Sequence, residues 1–305
     1  MKTVVDIIAL SWNYVQSKTK HVSKRDVELL LAHILKIKRL DLYLNFDRPL
    51  QENELFKMRE GLKRLIMNEP IEYIEESVQF FGCSIQVNKN VLIPRPETEL
   101  LVERIVSYLK KKDLEGKTFV DLCSGSGCIG IAVKKACPEL DVTLIDISHE
   151  ALVVSRENAR INGVTVHQLQ GDLFAPLQGV DYLASNPPYV SIAEYEALDP
   201  SVKNFEPKLA LVGGPTGLEF YRRIAEAAPQ FVKERLWLEI GASQGPVVKK
   251  IFENLGHDSV VLEKDLAGHD RFLSVTITIP AGLMTPGSVA PFGARSPGAS
   301  PCHPI

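Results

Sequence analysis

Over residues 1–75, apolar positions recur with the spacing of one helix face, and no run alternates strictly between apolar and polar. The clearest helix has Ser23 at its N-cap and Asp26 three positions later, which is a variant of the capping box. A second apolar stripe begins after Glu52 or Asn53. The pattern predicts a small N-terminal helical domain.

The spacing changes in residues 76–96, where short apolar segments are interrupted by Gly82 and by Asn88-Lys89-Asn90. Turn-forming residues between short apolar runs are typical of a β-hairpin. We therefore expect a hairpin linker with its turn at the Asn residues.

From residue 97 to 280, predicted strands alternate with helical segments. This alternation predicts an α/β fold with a doubly wound, largely parallel, Rossmann-like sheet. The loop between the last two strands is too short for a crossover helix, so we expect those strands to be antiparallel. The predicted strands are Thr118–Leu122, Val142–Ile145, Thr165–Gln168, Tyr182–Ala184, Leu236–Ile240, Ser259–Leu262 and Phe272–Ile279. Residues 281–305, rich in Ala, Gly, Pro and Ser, are expected to be a disordered tail.

Charge and composition narrow the classes of partner. The 305-residue chain has a formal charge of -3, which supplies no broad positive field, so we expect no stable nucleic-acid binding. Its five cysteines lack paired zinc-site or disulfide spacing, which indicates free thiols, no metal and a reducing cytoplasmic location. No apolar stretch approaches the ~18 residues of a membrane span, so no membrane association is expected.

A glycine loop follows the first predicted strand of the sheet. The loop is Cys123-Ser124-Gly125-Ser126-Gly127, and it leads into an apolar helix. Its glycines let the backbone approach a ligand closely, and the helix start offers unpaired N–H groups, which together suit a nucleotide-type cofactor. Gly125, Gly127 and Gly130, followed by Asp146, also satisfy the dinucleotide-binding fingerprint. The loop alone therefore fits NAD about as well as S-adenosylmethionine.

Asp121, on the strand before the loop, favours S-adenosylmethionine. A carboxylate there would repel a pyrophosphate, whereas it would attract an ammonium and a sulfonium. Asp146 is placed to accept both ribose hydroxyls, although it could also simply cap the next helix. Asp172 could bond the adenine amino group and Leu173 could cover the adenine face, with a plain surface turn as the alternative.

The tetrapeptide Asn186-Pro187-Pro188-Tyr189 follows another short predicted strand at the same edge of the sheet. The prolines fix the backbone, so the Asn186 side-chain oxygen and the Pro187 carbonyl can each accept an N–H from a planar NH₂ group, on which Tyr189 can stack. Positioning and aligned dipoles would then activate the nitrogen without a general base. The alternative is a proline-stiffened turn.

Together these features predict methyl transfer from S-adenosylmethionine to a planar amide or exocyclic amine nitrogen, and three alternatives to an amide substrate or to methylation stay open. A nucleic-acid amino-methyltransferase would present adenine N6 with the same NH₂ geometry, but it needs a basic groove and aromatic residues around a flipped base. An NAD-dependent oxidoreductase is disfavoured by Asp121. A non-catalytic binding protein would have no use for the proline-fixed acceptors.

From roughly Glu69 to Leu273 the chain resembles the HemK/PrmC family, the N5-glutamine methyltransferases of peptide-chain release factors. Leu92-Ile-Pro-Arg-Pro-Glu-Thr-Glu beside the tetrapeptide is highly specific to that family. The other shared motifs are Glu69-Pro-Ile-Glu-Tyr-Ile, the glycine loop, Asp146, Glu206-Pro-Lys-Leu-Ala-Leu and Asp265-Leu-Ala-Gly-His-Asp-Arg.

The resemblance implies a methyltransferase domain at residues 97–280 behind a substrate-recognition domain at residues 1–75, with release factors as the protein substrate. It implies that residues 123–127, Asp146, Leu173 and Asn186 contact S-adenosylmethionine, and that residues 186–189 hold the glutamine of a Gly-Gly-Gln loop.

This chain departs from the family pattern at three places. Cys123 and Ser124 stand where Gly and Thr are usual, Leu173 stands where an aromatic residue is frequent, and Glu75-Glu76 replaces Leu-Gly. The segment from Arg95 to Glu99 could hold the cofactor, lock the hairpin over the pocket, or simply begin the next helix.

Overall fold

The N-terminal helices close on a core of their own. The computed structural model describes residues 2–257 and 259–277, and it begins with α1 (Val4–Gln16), α2 (Lys24–Leu35), a 3-10 helix (Arg39–Leu44), α3 (Glu52–Ile66) and α4 (Ile71–Glu75). Ser23 and Asp26 form the predicted capping box at the start of α2, which confirms that expectation. Val27, Leu31 and Leu62 are among the buried residues of this core.

The predicted hairpin is present, but its turn was misplaced. Strands β1 (Ser77–Phe80) and β2 (Cys83–Gln86) are antiparallel and joined by Phe81-Gly82. Both turn residues have positive φ, 44° and 72°. Two-residue turns of this kind match the right-handed twist of the two strands that they connect. The predicted turn at Asn88 lies beyond β2, where the Asn88 side chain accepts from the Asn90 backbone N–H. Asn side chains form such local turns outside hairpins as well.

Seven strands form the predicted doubly wound sheet. They are β3 (Thr118–Leu122), β4 (Asp141–Asp146), β5 (His167–Gln170), β6 (Val180–Ser185), β7 (Val232–Glu239), β8 (Ser259–Lys264) and β9 (Asp270–Thr276). Their spatial order is β5-β4-β3-β6-β7-β9-β8, with β3 to β7 parallel. Strand β9 runs antiparallel to both β7 and β8, which confirms the prediction for the last two strands.

Strand boundaries were less well predicted than strand identities. Strand β5 begins at His167 and not at Thr165, and β7 begins at Val232 and not at Leu236. Thr278 and Ile279 of the last predicted strand lie outside the described residues, as does the predicted tail at 281–305.

Helices connect the strands, and the longer ones cover both faces of the sheet. They are α5 (Pro96–Leu109), α6 (Cys128–Ala136), α7 (His149–Ile161), α8 (Ile192–Glu196), α9 (Pro200–Phe205), α10 (Lys208–Leu211), α11 (Glu219–Phe231) and α12 (Gly245–Asn254). Neighbouring strand residues alternate between the layers. Phe119 belongs to the same apolar cluster as Leu101 and Ile129, and Val120 belongs to a second cluster with Ile224 and Phe252. In the described ranges no helix is both long and apolar enough to span a bilayer.

The hairpin is fixed to the sheet through α7. Asn162 and Asn158 accept from the backbone N–H groups of Ser84 and Gln86 at 3.0 and 2.7 Å. Asn158 also donates to the Ser126 carbonyl in the glycine loop at 2.9 Å. The hairpin is thus tied to the loop, while the predicted domain limits at 75 and 96 stay a prediction.

Candidate active site

The site lies where the strand order reverses, between β4, β3 and β6. The glycine loop, Asp146 and the tetrapeptide leave the carboxyl ends of these three strands, the position at which open α/β sheets bind ligands. A cavity of about 530 Å³ opens there, within the size range of small-molecule sites. Of the predicted site residues, its wall includes Cys123, Ser124, Gly125, Ser126, Asp146, Asp172, Leu173, Asn186 and Pro188.

Left-handed backbone shapes the glycine loop. Gly125 and Gly127 have φ of 51° and 77°, and a Cβ on Gly127 would lie 2.9 Å from the Leu144 side chain. Cys123 also has positive φ, 59°. Because L side chains pay about 1–2 kcal/mol in this conformation, the position favours the glycine that is usual in the family.

Asp146 joins the loop to the next strand. Its Oδ2 accepts from the Gly125 N–H at 2.7 Å and its Oδ1 accepts from the Ser148 N–H at 2.9 Å. Ser148 is the N-cap of α7, so Asp146 serves the helix start as well as the cavity wall. Each oxygen keeps a lone pair for a further donor, such as a ribose hydroxyl. Burial raises the pKa of this carboxyl.

Asp121 lies elsewhere than we expected. It is 1% exposed and lies outside the cavity wall, with Oδ2 accepting from the Gly130 N–H at 2.9 Å. The side chain packs under α6, where Gly130 has no side chain to exclude it. Contact of Asp121 with a ligand in the cavity stays a prediction.

The carboxyl of Asp121 nonetheless influences the site electrostatically. Its Oδ1 has no hydrogen-bond partner among the described residues. Burial, and secondarily the nearby Asp146, raise its pKa well above the ordinary value. A cationic ligand would stabilise the ionised carboxylates of Asp121 and Asp146, whereas an anionic pyrophosphate would not.

The predicted adenine-side residues lie on the cavity wall. Leu173 is buried, with φ of 52°. Asp172 is half exposed and forms an ion pair with Arg223 at 2.7 Å. The Asp172 carboxylate therefore already has a strong partner, and its role toward an adenine stays a prediction.

The tetrapeptide presents Asn186 and Pro188 to the cavity, while Pro187 and Tyr189 lie outside its wall. The Asn186 Nδ2 donates to the Thr98 Oγ1 at 3.3 Å. Tyr189 packs against the core on the α11 and α12 face of the sheet. Burial raises its pKa to about 12, so the phenol is neutral at physiological pH.

Contacts behind the tetrapeptide hold its backbone. Gln244 Nε2 donates to the Tyr189 carbonyl at 3.0 Å, and the Gly213 N–H donates to the Val190 carbonyl at 2.9 Å. A Cβ on Gly213 would lie 2.3 Å from the Pro188 carbonyl oxygen. Sequence reasoning missed Gln244 and Gly213, because no motif spacing links either residue to the tetrapeptide.

The segment from Arg95 to Glu99 begins α5, as one of its three expected roles requires. Its roles toward the cofactor and the hairpin stay predictions. Arg95 is the N-cap residue of α5 and lies on the cavity wall. Its guanidinium pairs with Glu206, which is 4% exposed and also accepts from the Ile93 N–H at 3.3 Å. The ion pair thus joins two motifs that are distant in sequence, at the side of the cavity lined by Arg95.

Known proteins similar to this chain point to one enzyme family. The family described as PrmC N-terminal domain matches residues 14–75, and the Methyltransferase small domain family matches residues 96–201. The Release factor glutamine methyltransferase of Chlamydia trachomatis serovar L2 is 44% identical over 85% of this chain and 89% of its own length. That of Thermodesulfovibrio yellowstonii is 36% identical over 82% and 91%, respectively.

Solved structures share the fold. The hMettl16 catalytic domain, crystallised in complex with the MAT2A 3'UTR hairpin 1, superposes with a TM-score of 0.54 at 14% identity. The superposition covers 88% of this chain and 93% of that one. At this identity the likeness concerns the architecture alone.

Proposed function

Because this chain belongs to the release factor glutamine methyltransferase family, we propose that its cavity binds S-adenosylmethionine and that residues 186–189 hold the side-chain amide of a release factor glutamine. The protein is a methyltransferase. The observation that carries the proposal is the convergence of the glycine loop, Asp146 and Asn186 on one cavity.

The residues present fit the cofactor. Ser124 Oγ, on the cavity wall, is buried with no partner among the described residues, so a polar ligand group would satisfy it. Asp146 would accept from the ribose hydroxyls, the backbone of residues 123–127 would border the amino-acid end, and Leu173 would cover the adenine. S-adenosylmethionine supplies the methyl group when bound.

The tetrapeptide would position the glutamine nitrogen. An amide NH₂ is a weak nucleophile because its lone pair is delocalised, so two acceptors that each take one N–H would orient the nitrogen and enrich it in electrons. The Asn186 Oδ1 and the Pro187 carbonyl would be these acceptors. The nitrogen loses one proton to water on methylation, which explains why no His or Cys base is required. Preorganised dipoles of this kind are among the largest contributions to catalysis.

The other elements suit a protein substrate. We assign the helical domain at residues 1–75 to substrate recognition and the glutamine to the Gly-Gly-Gln loop of a release factor. The formal charge of -3 agrees with a protein partner more than with a nucleic acid. Release factors act in translation, and we accordingly expect the enzyme to work in the cytoplasm.

A transfer assay tests this function. Purified protein and S-adenosylmethionine carrying a labelled methyl are incubated separately with a release factor, with the same factor carrying Gln→Ala in its Gly-Gly-Gln loop, and with DNA. We expect label only in the unaltered release factor. Label in DNA and none in either release factor would overturn the assignment in favour of an adenine amino-methyltransferase.

Asn186→Ala tests the site within that assay. We expect turnover to fall by about 10²–10³-fold, the usual cost of one preorganised polar partner, while cofactor affinity stays within several-fold. Unchanged turnover would refute the role assigned to Asn186.

A further inference from the structure

A buried hydrogen-bond chain ends on Asn186. Thr98 on α5 is 2% exposed and Glu239, the last residue of β7, is 1% exposed. The Thr98 hydroxyl bonds the Glu239 Oε2 at 2.7 Å, and its Oγ1 lies 3.3 Å from the Asn186 Nδ2. Three distant parts of the sequence therefore meet behind the side chain proposed to bind substrate.

The direction of these bonds is set by chemistry. An ionised carboxylate only accepts, so the Thr98 hydroxyl must donate its single proton to Glu239. Its Oγ1 then remains as an acceptor, and Asn186 can satisfy it only with Nδ2. Asn186 consequently turns Oδ1 toward the cavity. Without this chain, nothing in the amide itself would select one orientation over the other.

We propose that Thr98 and Glu239 are positioning residues, which fix the amide orientation of Asn186 so that its oxygen, not its nitrogen, faces the incoming NH₂ group. The inference rests on the proposed function, because a flipped Asn186 would set its own N–H donors against those of the substrate. Neither positioning residue needs to touch the substrate.

The surroundings of Glu239 make the hydrogen-bond chain through Thr98 to Asn186 sensitive to the protonation of Glu239. Burial raises the pKa of Glu239 to about 7, against the opposing effects of the Thr98 bond and Arg271. A protonated Glu239 can donate to Thr98 and release the hydroxyl to donate toward Asn186, which favours the flipped amide. The titratable and charged groups facing Glu239 are Arg95 and Glu97 at the start of α5, Tyr189 after β6, Tyr221 on α11, Arg271 on β9 and Cys128 on α6.

The test compares Thr98→Val, which keeps the shape but removes the hydroxyl, with Thr98→Ser, which keeps the hydroxyl. Single-turnover methyl transfer to a release factor is measured for both, along with thermal unfolding and cofactor affinity. We expect kcat to fall at least about 10-fold in Thr98→Val, the scale of one lost orienting bond, and to stay within about 3-fold in Thr98→Ser. Equal kcat in Thr98→Val and the wild type would overturn the inference.

A second background separates positioning from general damage. If Thr98 acts through Asn186, then adding Thr98→Val to Asn186→Ala should cost less than about 2-fold, because residues that act as a unit are not additive. The same loss in both backgrounds would overturn the inference. If Thr98→Val fails to fold, Thr98→Ala and Thr98→Ser are compared in the same cycle, and the same two results decide.

The pH profile gives a readout that a purely structural role would not move. In the wild type, kcat should fall as the pH is lowered from about 8 to about 6, through the pKa of Glu239. In Thr98→Val this fall in kcat at low pH should be absent. The same fall in both proteins would contradict the proposed hydrogen-bond chain from Glu239 to Asn186. A wild type that transfers no methyl to any release factor would instead refute the proposed function.

Discussion

Gly213→Ala pushes on the tetrapeptide backbone from behind, and it replaces no residue of the cavity wall. The added Cβ would lie 2.3 Å from the Pro188 carbonyl oxygen, 2.9 Å from the Pro188 carbonyl carbon and 3.0 Å from the Tyr189 Cα. All three atoms are backbone, so no flexible side chain can swing away. Gly213 does not adopt a left-handed φ, and the effect is therefore steric.

The displacement can be worked out from these distances. Ordinary van der Waals contact begins near 3.4 Å, so the Pro188 carbonyl must move by 3.4 − 2.3 = 1.1 Å. If the shift is carried along the backbone to the acceptors on Pro187 and Asn186, a misplacement of about 1 Å there can cost about 10²-fold in rate. That factor corresponds to about 2.7 kcal/mol in the activation free energy. We expect kcat to fall by about that factor, while cofactor affinity changes little because the glycine loop lies on other strands.

Single-turnover methyl transfer measures the rate, and thermal unfolding checks that the variant is folded. Gly179→Ala is the matched control: its Cβ would meet nothing closer than the Phe231 carbonyl oxygen at 3.8 Å, and its φ is also not left-handed. The control should retain wild-type turnover. A folded Gly213→Ala variant with wild-type turnover, or an equal loss in the control, would show that Gly213 does not hold the tetrapeptide in its active position.

Three further predictions follow from backbone conformation, charge and burial. Asp146→Asn replaces one acceptor oxygen with a donor and should raise the cofactor Kd about 10- to 100-fold, the scale of a charged hydrogen bond, as measured by calorimetry; an unchanged Kd would remove Asp146 from the binding site. Cys123→Gly should raise the free energy of unfolding by about 0.5–1 kcal/mol, since it relieves a positive φ at some cost in chain entropy; a lower denaturant midpoint would contradict this. Burial raises the pKa of Glu75 to about 7. The folded protein therefore favours the protonated carboxyl, and the stability this gives is fully present below the unfolded pKa of 4.5 and is lost as the pH rises through 7. Glu75→Gln should therefore reduce the fall in Tm between about pH 5 and about pH 8, and an identical fall in both proteins would count against it.

The sheet was predictable because its signals are local. Short apolar runs mark most of the parallel strands, although β5 has only Leu169. The glycine loop and the tetrapeptide mark two strand ends, which the topology brings to one edge of the sheet. The hairpin turn was misplaced, because Asn88-Lys89-Asn90 and Phe81-Gly82 both suit turns and only pairing with β1 separates them. The sequence also could not show that Asp121 tucks beneath α6, because that depends on the packing of Gly130.

The residues that hold the site in place could not be predicted from the sequence, for a different reason. Thr98 and Glu239 are 141 residues apart, and each is an ordinary residue type for the end of a helix or strand. Their relation to Asn186 follows only from how β6 and β7 lie side by side beneath α5. Motifs therefore predicted which residues face the ligands, and the fold was needed to find those that hold them.

Tandem mass spectrometry of a release factor, after incubation with this enzyme and S-adenosylmethionine, shows which atom receives the methyl group. We expect a single added methyl on the side-chain amide nitrogen of the glutamine in the Gly-Gly-Gln loop, and none when Asn186→Ala replaces the wild type over the same time. A methyl on any other residue, or an unmodified glutamine with full transfer to nucleic acid, would contradict the proposed function.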